Sequence, residues 1–284
     1  MRQQSPVAPM MVTVLGGRGF VGRHLVAHLR ELGHTCWVPE RDDPALFTRP
    51  LGLVFYCIGL TANFRAQPFA TVDAHIGVLR EVLELADFDQ LVYLSSTRVY
   101  DGCETTDEGQ ALSVRPGSPD HLYNLSKLLG ESLALSCGKA CRVVRLSNVV
   151  GPDMGAANFL GSVLKEARET GAVCFKTSLQ SSKDYIWIDD AVRGLMVIAS
   201  QGKQAIYNLA SGTNLSHGEL ARWLESHHIL TSVGAHPSTA TFPVIQIERL
   251  VTDAAFSPAR MDVAMLDSLL TDPFHPIVTI EMHP

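Results

Sequence analysis

Tyr123-Asn124-Leu125-Ser126-Lys127 sets a phenol and an ammonium at i and i+4. On a helix turning roughly 100° per residue they lie about 40° apart, on one face. A tyrosine with its ordinary pKa near 10 is a poor base at neutral pH. A cation one turn away stabilises the phenolate. The hydroxyl can then exchange a proton with a carbinol oxygen while a hydride moves. Leu122, Leu125, Leu129 and Leu133 fall on the other side. That face is expected to pack into the core and leave Tyr123 and Lys127 opposite. Y-x-x-x-K alone is a common pattern of ordinary helix surfaces, so its weight depends on what surrounds it.

Upstream, the apolar run Leu91-Val92-Tyr93-Leu94 reads as a buried strand ending in Ser95-Ser96-Thr97. Ligands of open α/β sheets bind beyond the carboxyl ends of such strands. A hydroxyl there can hold a substrate oxygen, or it can simply cap the strand.

The element that would bring a redox partner to these groups stands at the start of the chain. The apolar run Met11–Leu15 leads into Gly16-Gly17-Arg18-Gly19-Phe20-Val21-Gly22. Apolar residues at helical spacing follow as far as Leu32, before Gly33. Glycines at 16, 19 and 22 allow a tight turn and a close backbone approach to a pyrophosphate. The helix start adds N–H groups and partial positive charge. Glu40, 18 residues beyond Gly22, is placed to bind adenosine ribose hydroxyls, which favours NAD. Arg18 and Arg41 are placed to meet a 2′-phosphate, so NADP stays open; Glu40 and Arg41 also read as a solvated loop pair.

Further strand-like runs occur at 35–38, 53–58 and 141–146, with helical patterns over 72–86 and 122–135. Apolar strands alternating with helices predict a parallel sheet covered on both faces. After Gly151-Pro152 the pattern loosens. Helices are expected over 158–169, 189–200 and 216–225, strands at 173–176 and 207–209, and a loop over 235–241.

Composition limits the alternatives. The chain has 284 residues, 46% of them hydrophobic and 18% charged, which excludes a disordered chain or a coiled coil. A net charge of −6 argues against an electrostatic nucleic-acid binder. No apolar run is long enough to span a membrane. No secretory signal is visible in Met1-Arg2-Gln3-Gln4-Ser5-Pro6, and six scattered cysteines without a CxxC pair read as reduced thiols, so a cytoplasmic protein is expected. His24 and His28 lie one turn apart without a third ligand, and no metal is expected.

These residues together resemble the extended short-chain dehydrogenase/reductase family, the NAD-dependent epimerase/dehydratase group acting on nucleotide-activated sugars. GGRGFVG at 16–22 is similar to its GxxGFxG loop and SSTRVYD at 95–101 to SSxxVYG. YNLSK is its YxxxK motif. RLSNVVGP at 145–152, KDYIWIDDAVRGL at 183–195 and YNLASGTNLSHGELARWL at 207–224 match further family segments. The resemblance implies an α/β fold: a Rossmann-type doubly wound parallel sheet with a smaller α/β substrate-binding lobe. The dinucleotide-binding domain is expected over 10–150, completed by 183–205, with the lobe from 151–182 and 206–284.

It further implies that Tyr123 is the acid/base, Lys127 its electrostatic partner and ribose ligand, and Ser96 the catalytic hydroxyl. Gly16, Arg18, Gly19, Phe20, Val21, Gly22, Glu40 and Arg41 would contact the cofactor, NAD with NADP as the alternative. Ser96, Thr97, Asn148, Asn158 and Lys183 would contact a nucleotide sugar, and Asp189 would be structural. The family's 4,6-dehydratases carry an Asp-Glu pair where this chain has Thr97 and Arg98. Ordinary dehydration is therefore disfavoured. Lys183 replaces the arginine that grips the diphosphate, keeping the charge but losing the bidentate fork. Arg249 and Arg260 are candidates for a second, downstream arginine, and His75 stands where the family commonly has Asn. The reading is an NAD(P)-dependent 4-epimerase or 4-keto sugar reductase. The competing class is a non-catalytic dinucleotide-binding or redox-sensing protein. The resemblance also implies a homodimer through the 72–86 and 122–135 helices, with Leu79, Val82 and Leu128 as apolar contacts.

Overall fold

The computed structural model describes residues 9–61, 64–156, 158–239 and 241–271; the segment before Pro9 lies outside them. The chain opens with β1 (Met11–Leu15), α1 (Phe20–Glu31), β2 (Thr35–Trp37) and β3 (Leu53–Tyr56). α2 (Pro68–Val72) and α3 (Val78–Leu85) are joined without a break by one π turn, Asp73–Gly77. Then follow β4 (Gln90–Ser96), α4 (His121–Ser136), β5 (Cys141–Leu146), β6 (Asn148–Val150), α5 (Phe159–Thr170), β7 (Ala172–Thr177) and β8 (Ser182–Trp187). α6 (Ile188–Gln201), β9 (Ile206–Leu209), β10 (Asn214–Ser216), α7 (His217–Ser226), β11 (Leu230–Ser238), α8 (Glu248–Ala254) and α9 (Val263–Leu270) complete the described chain.

Six parallel strands form one sheet in the order β2-β1-β3-β4-β5-β9, flanked by helices. The order reverses direction at β1, as in doubly wound folds whose ligands bind outside the strands' carboxyl ends. β1 pairs with β3 from Val12↔Leu53 to Leu15↔Tyr56, and β3 with β4 from Leu53↔Gln90 to Tyr56↔Tyr93. These strands are buried on both faces, which is why they read as unbroken apolar runs.

The chain divides into two compact units. The first runs to Ser95 and adds Ser118–Val144 and Gln204–Ile206. Its core joins Leu15, Val54 and Tyr56 of the sheet to Leu79, Val82 and Leu83 of α3. The second unit comprises Ser96–Gly117, Arg145–Lys203 and Tyr207 onward. Within it β8 lies between antiparallel β10 and parallel β6, and β11 runs parallel to β7. Asn158 caps α5 by accepting the Gly161 N–H at 2.7 Å, and Gly171 ends that helix at φ +67°. Ser216 and Glu219 form a reciprocal capping box on α7.

Two expectations are corrected. Residues 235–238 belong to strand β11 rather than a loop. That strand is short of buried apolar residues and carries an irregularity between Val233 and Ser238, so alternation gives no signal there. On α4 the apolar and functional faces are exchanged. Tyr123, Ser126, Lys127, Gly130, Glu131 and Ala134 are buried, whereas Leu129 is 51% exposed and Leu135 is 41% exposed.

Candidate active site

Strand β1 delivers the chain into the glycine loop. Gly16 has φ +79°, a conformation L side chains rarely adopt. A Cβ at Gly22 would fall 2.3 Å from the Gly16 carbonyl oxygen, so the third glycine lets α1 close against the turn. Gly19 caps α1 without a side-chain hydrogen bond, and the helix has no acid in its first turn. Backbone approach and an anion-ready helix start are both present, and they fit a pyrophosphate. Arg18 and Glu40 are both exposed and form an ion pair with each other.

Two elements of the first unit, α4 and β4, meet at Lys127. From α4 its ammonium donates to the Leu94 carbonyl near the end of β4 at 2.8 Å. It lies 5.2 Å from the Tyr93 ring centroid. Ser95, the next strand residue, donates to Glu131 of α4 at 2.5 Å. Burial holds the Lys127 ammonium down to about 7, opposed chiefly by the nearby Glu131 carboxylate. The helix turns Lys127 and Glu131 inward because each finds a partner on β4, as buried polar groups generally must.

Tyr123 is 5% exposed, its ring 5.3 Å from Phe64 and edge-on to His75 at 5.1 Å. His75 sits in the π turn between α2 and α3, a feature frequent at functional sites. Ser126 Oγ donates its one proton to the Tyr123 carbonyl at 2.9 Å. His75 Nδ1, 2.7 Å from the same Oγ, must therefore carry the ring proton. Nε2 then accepts from Leu60 N–H at 3.4 Å. Burial, reinforced by Lys127, pushes this imidazole down to about 2, so it stays neutral. A Cβ built at Gly59 would lie 3.4 Å from Lys127 Nζ and 3.5 Å from His75 Nε2, which places both side chains beside that loop.

In the second unit Ser96 Oγ accepts the Arg98 N–H at 3.2 Å, capping a short 3-10 turn. Its hydroxyl proton remains to be donated. Thr97 is buried in that turn. Asn148 donates to the Asp184 carbonyl at 2.8 Å, and Asn158 donates to Val149 at 3.4 Å besides capping α5. Asp184, buried in β8, accepts from Ser147, Ser211 and Thr213 and fixes the strand that carries Lys183. Burial raises its carboxyl, while the hydrogen bonds work the other way. Asp189 is exposed in the first turn of α6; the buried acids of this segment are Asp184 and Asp190, the latter paired with Arg193 and accepting the Ala259 N–H at 2.7 Å. Arg249 pairs with buried Glu108 at 3.4 Å, and Arg260 is exposed. His217, which drew no notice in the sequence, is buried beside Phe159 and Lys183. A single histidine gives no local spacing signal.

The geometry and the sequence agree on a class. Residues 12–210 match the NAD dependent epimerase/dehydratase family, and the chain belongs to it. No curated protein sequence matches significantly. Among solved structures, MoeE5 in complex with UDP-glucose and NAD is similar at TM-score 0.77 and 21% identity, covering 91% of this chain and 97% of that one. UDP-glucuronic acid 4-epimerase from Bacillus cereus, in complex with UDP-glucuronic acid and NAD, gives 0.75 and 17% over 91% and 97%. RMD from Pseudomonas aeruginosa complexed with NADPH gives 0.71 and 20% over 92% and 98%. At these identities the likeness establishes the fold. No helix among the described residues is long and apolar enough to cross a membrane.

Proposed function

We propose that this chain is an NAD(P)-dependent oxidoreductase acting at carbon 4 of a nucleotide-linked hexose, as a 4-epimerase or a 4-keto sugar reductase. The observation that carries the reading is α4 turning Tyr123 and Lys127 inward, with Lys127 tied to the end of β4. A helix that buries a lysine and leaves leucines exposed is organised around its polar face. Family membership and neighbours solved with nucleotide sugars and with NAD or NADPH support the same substrate and cofactor classes.

A nicotinamide cofactor held by these residues would supply the hydride chemistry. Gly16, Gly19 and Gly22, with the start of α1, hold the pyrophosphate; Phe20 and Val21 supply backbone there. Glu40 or Arg18 and Arg41 read the adenosine ribose. Lys127 binds the nicotinamide ribose and stabilises the Tyr123 phenolate. Tyr123 takes a proton from the sugar hydroxyl in oxidation, or returns one to the keto oxygen in reduction. Ser96 donates a hydrogen bond to a sugar oxygen, and Thr97, Asn148, Asn158 and Lys183 hold the nucleotide sugar. Thr97 and Arg98 supply no carboxylate for dehydration.

Purified protein, with absorbance at 340 nm followed against nucleotide sugars and their 4-keto forms, tests this. A reductase consumes NAD(P)H once per turnover. An epimerase interconverts sugars with no net change. Cofactor binding without turnover of any of them would leave only a dinucleotide-binding protein.

A further inference from the structure

In the second unit, the side chains gathered around Phe159 do more than fill a core. The Lys183 ammonium lies 5.1 Å from the Phe159 ring centroid. The His217 imidazole stacks on the same ring, centroids 4.3 Å apart and planes 12° apart. Phe175 lies 5.9 Å from the imidazole at 29°. The aromatic faces are thus engaged with one another, and the imidazole offers its edge. Nδ1 is 2.8 Å from Thr177 Oγ1. Nε2 is buried with no hydrogen-bond partner among the described residues, on a residue only 2% exposed. Buried polar atoms are nearly always paired, so an unpaired one calls for an explanation.

The charges around it suggest one. Lys183 forms no ion pair with an acid among the described residues. Its ammonium is held below its ordinary value by burial and by the nearby Arg98 cation. Burial and Lys183 together push His217 down to about 4, so the imidazole is neutral. A half-buried cation facing a second cation, with an unpaired nitrogen beside it, suits an anion rich in acceptor oxygens.

We propose that Lys183 and His217 together hold a phosphoryl group of the nucleotide-sugar substrate. Lys183 supplies charge and His217 donates from Nε2–H, its tautomer set by the Thr177 hydroxyl donating into Nδ1. The inference rests on the nucleotide-sugar reading and adds His217, with Thr177 as its positioning residue.

Titration calorimetry on the full chain tests it, with UDP, dTDP, GDP and inorganic pyrophosphate as probes. His217→Phe keeps a ring and deletes the donor. It should weaken nucleoside diphosphate and pyrophosphate binding about tenfold or more, the worth of a hydrogen bond to a charged group. His217→Gln, which can present an N–H near the Nε2 position, should recover most of the loss. Thr177→Val should weaken binding in the same direction, and NAD affinity should stay unchanged throughout. Wild-type affinity in a folded His217→Phe protein, or no binding of any probe by the wild type, overturns the subsite. Pyrophosphate held through His217 by a protein that turns over no nucleotide sugar would overturn the substrate reading and keep the subsite.

Discussion

A phenol can trade protons at neutral pH only where its anion is tolerated, and in the proposed mechanism Lys127 supplies that tolerance to Tyr123. Tyr123→Phe deletes one oxygen and keeps the ring against Phe64 and His75. Turnover should fall by about 10²- to 10⁴-fold, the usual worth of general acid–base catalysis, with cofactor affinity unchanged. Steady-state rates beside NAD(P)H titration check this; more than about a tenth of wild-type turnover, with chemistry rate-limiting, excludes the role. Lys127→Met should reduce both turnover and cofactor affinity. It also has a stability signature. The ordinary lysine value of 10.5 is lowered to about 7 in the fold. Between those two values the unfolded chain binds a proton that the native chain does not, so stability rises with pH. Urea unfolding from pH 7 to 10 should show wild type gaining on Lys127→Met as pH increases; a constant difference contradicts the buried ammonium. Tyr123 and Lys127 were legible in the sequence because helical spacing is local. The partners of His217 were not, since Phe159 and Thr177 reach it only through the fold.

At the scale of elements, α4 must lie close against β4 for Lys127 to reach Leu94, and Gly130 permits it. A Cβ there would fall 2.3 Å from the buried Tyr93 hydroxyl. Tyr93 cannot yield easily, because its ring is wedged against Tyr56 at a centroid distance of 5.7 Å. Gly130→Val should therefore push the helix off the strand and lower turnover at least tenfold. It should also lower the melting temperature, as overpacking of about 1–3 kcal/mol does. Wild-type activity in this variant would mean that the helix–strand spacing does not matter. The glycine loop gives a parallel test. Gly19→Val places a branched side chain where the backbone should approach the pyrophosphate. NAD(P)H binding should be lost in a folded protein, read by calorimetry beside a thermal melt. The sequence showed the loop and the apolar strands, because each is fixed by short-range needs. It misled on α4, where leucine periodicity pointed to the wrong inward face. The helix instead buries polar groups paired across the fold, as Lys127 with Leu94 and Glu131 with Ser95, and neither pairing has a local signature.

For the molecule as a whole, the exposed leucines of α4 have a use if two chains pair. Leu79 and Val82, expected as interface contacts, lie in the core and are fully buried. The most exposed large apolar residues of these helices, among the described residues, are Phe69 at 84% on α2, Leu85 at 58% on α3, and Leu129 at 51% on α4. Both α2 and α3 pack beside α4, so these residues belong to one group of helices. A two-fold interface uses the same patch on both subunits, and an apolar helical face satisfies that requirement. A stable pair needs about 800 Å² buried on each partner, within reach of such a helix pair. The protein is therefore expected to run as a dimer, at twice its chain mass of 30.9 kDa, in light scattering at micromolar concentration. Leu129→Glu carries a charge into the middle of that face while leaving the buried side of α4 untouched. It should shift the protein to 30.9 kDa and leave NAD(P)H binding by the isolated chain intact. If the wild type is itself monomeric, the exposed leucines are no dimer face. If Leu129→Glu stays dimeric, the pairing surface lies elsewhere on the chain.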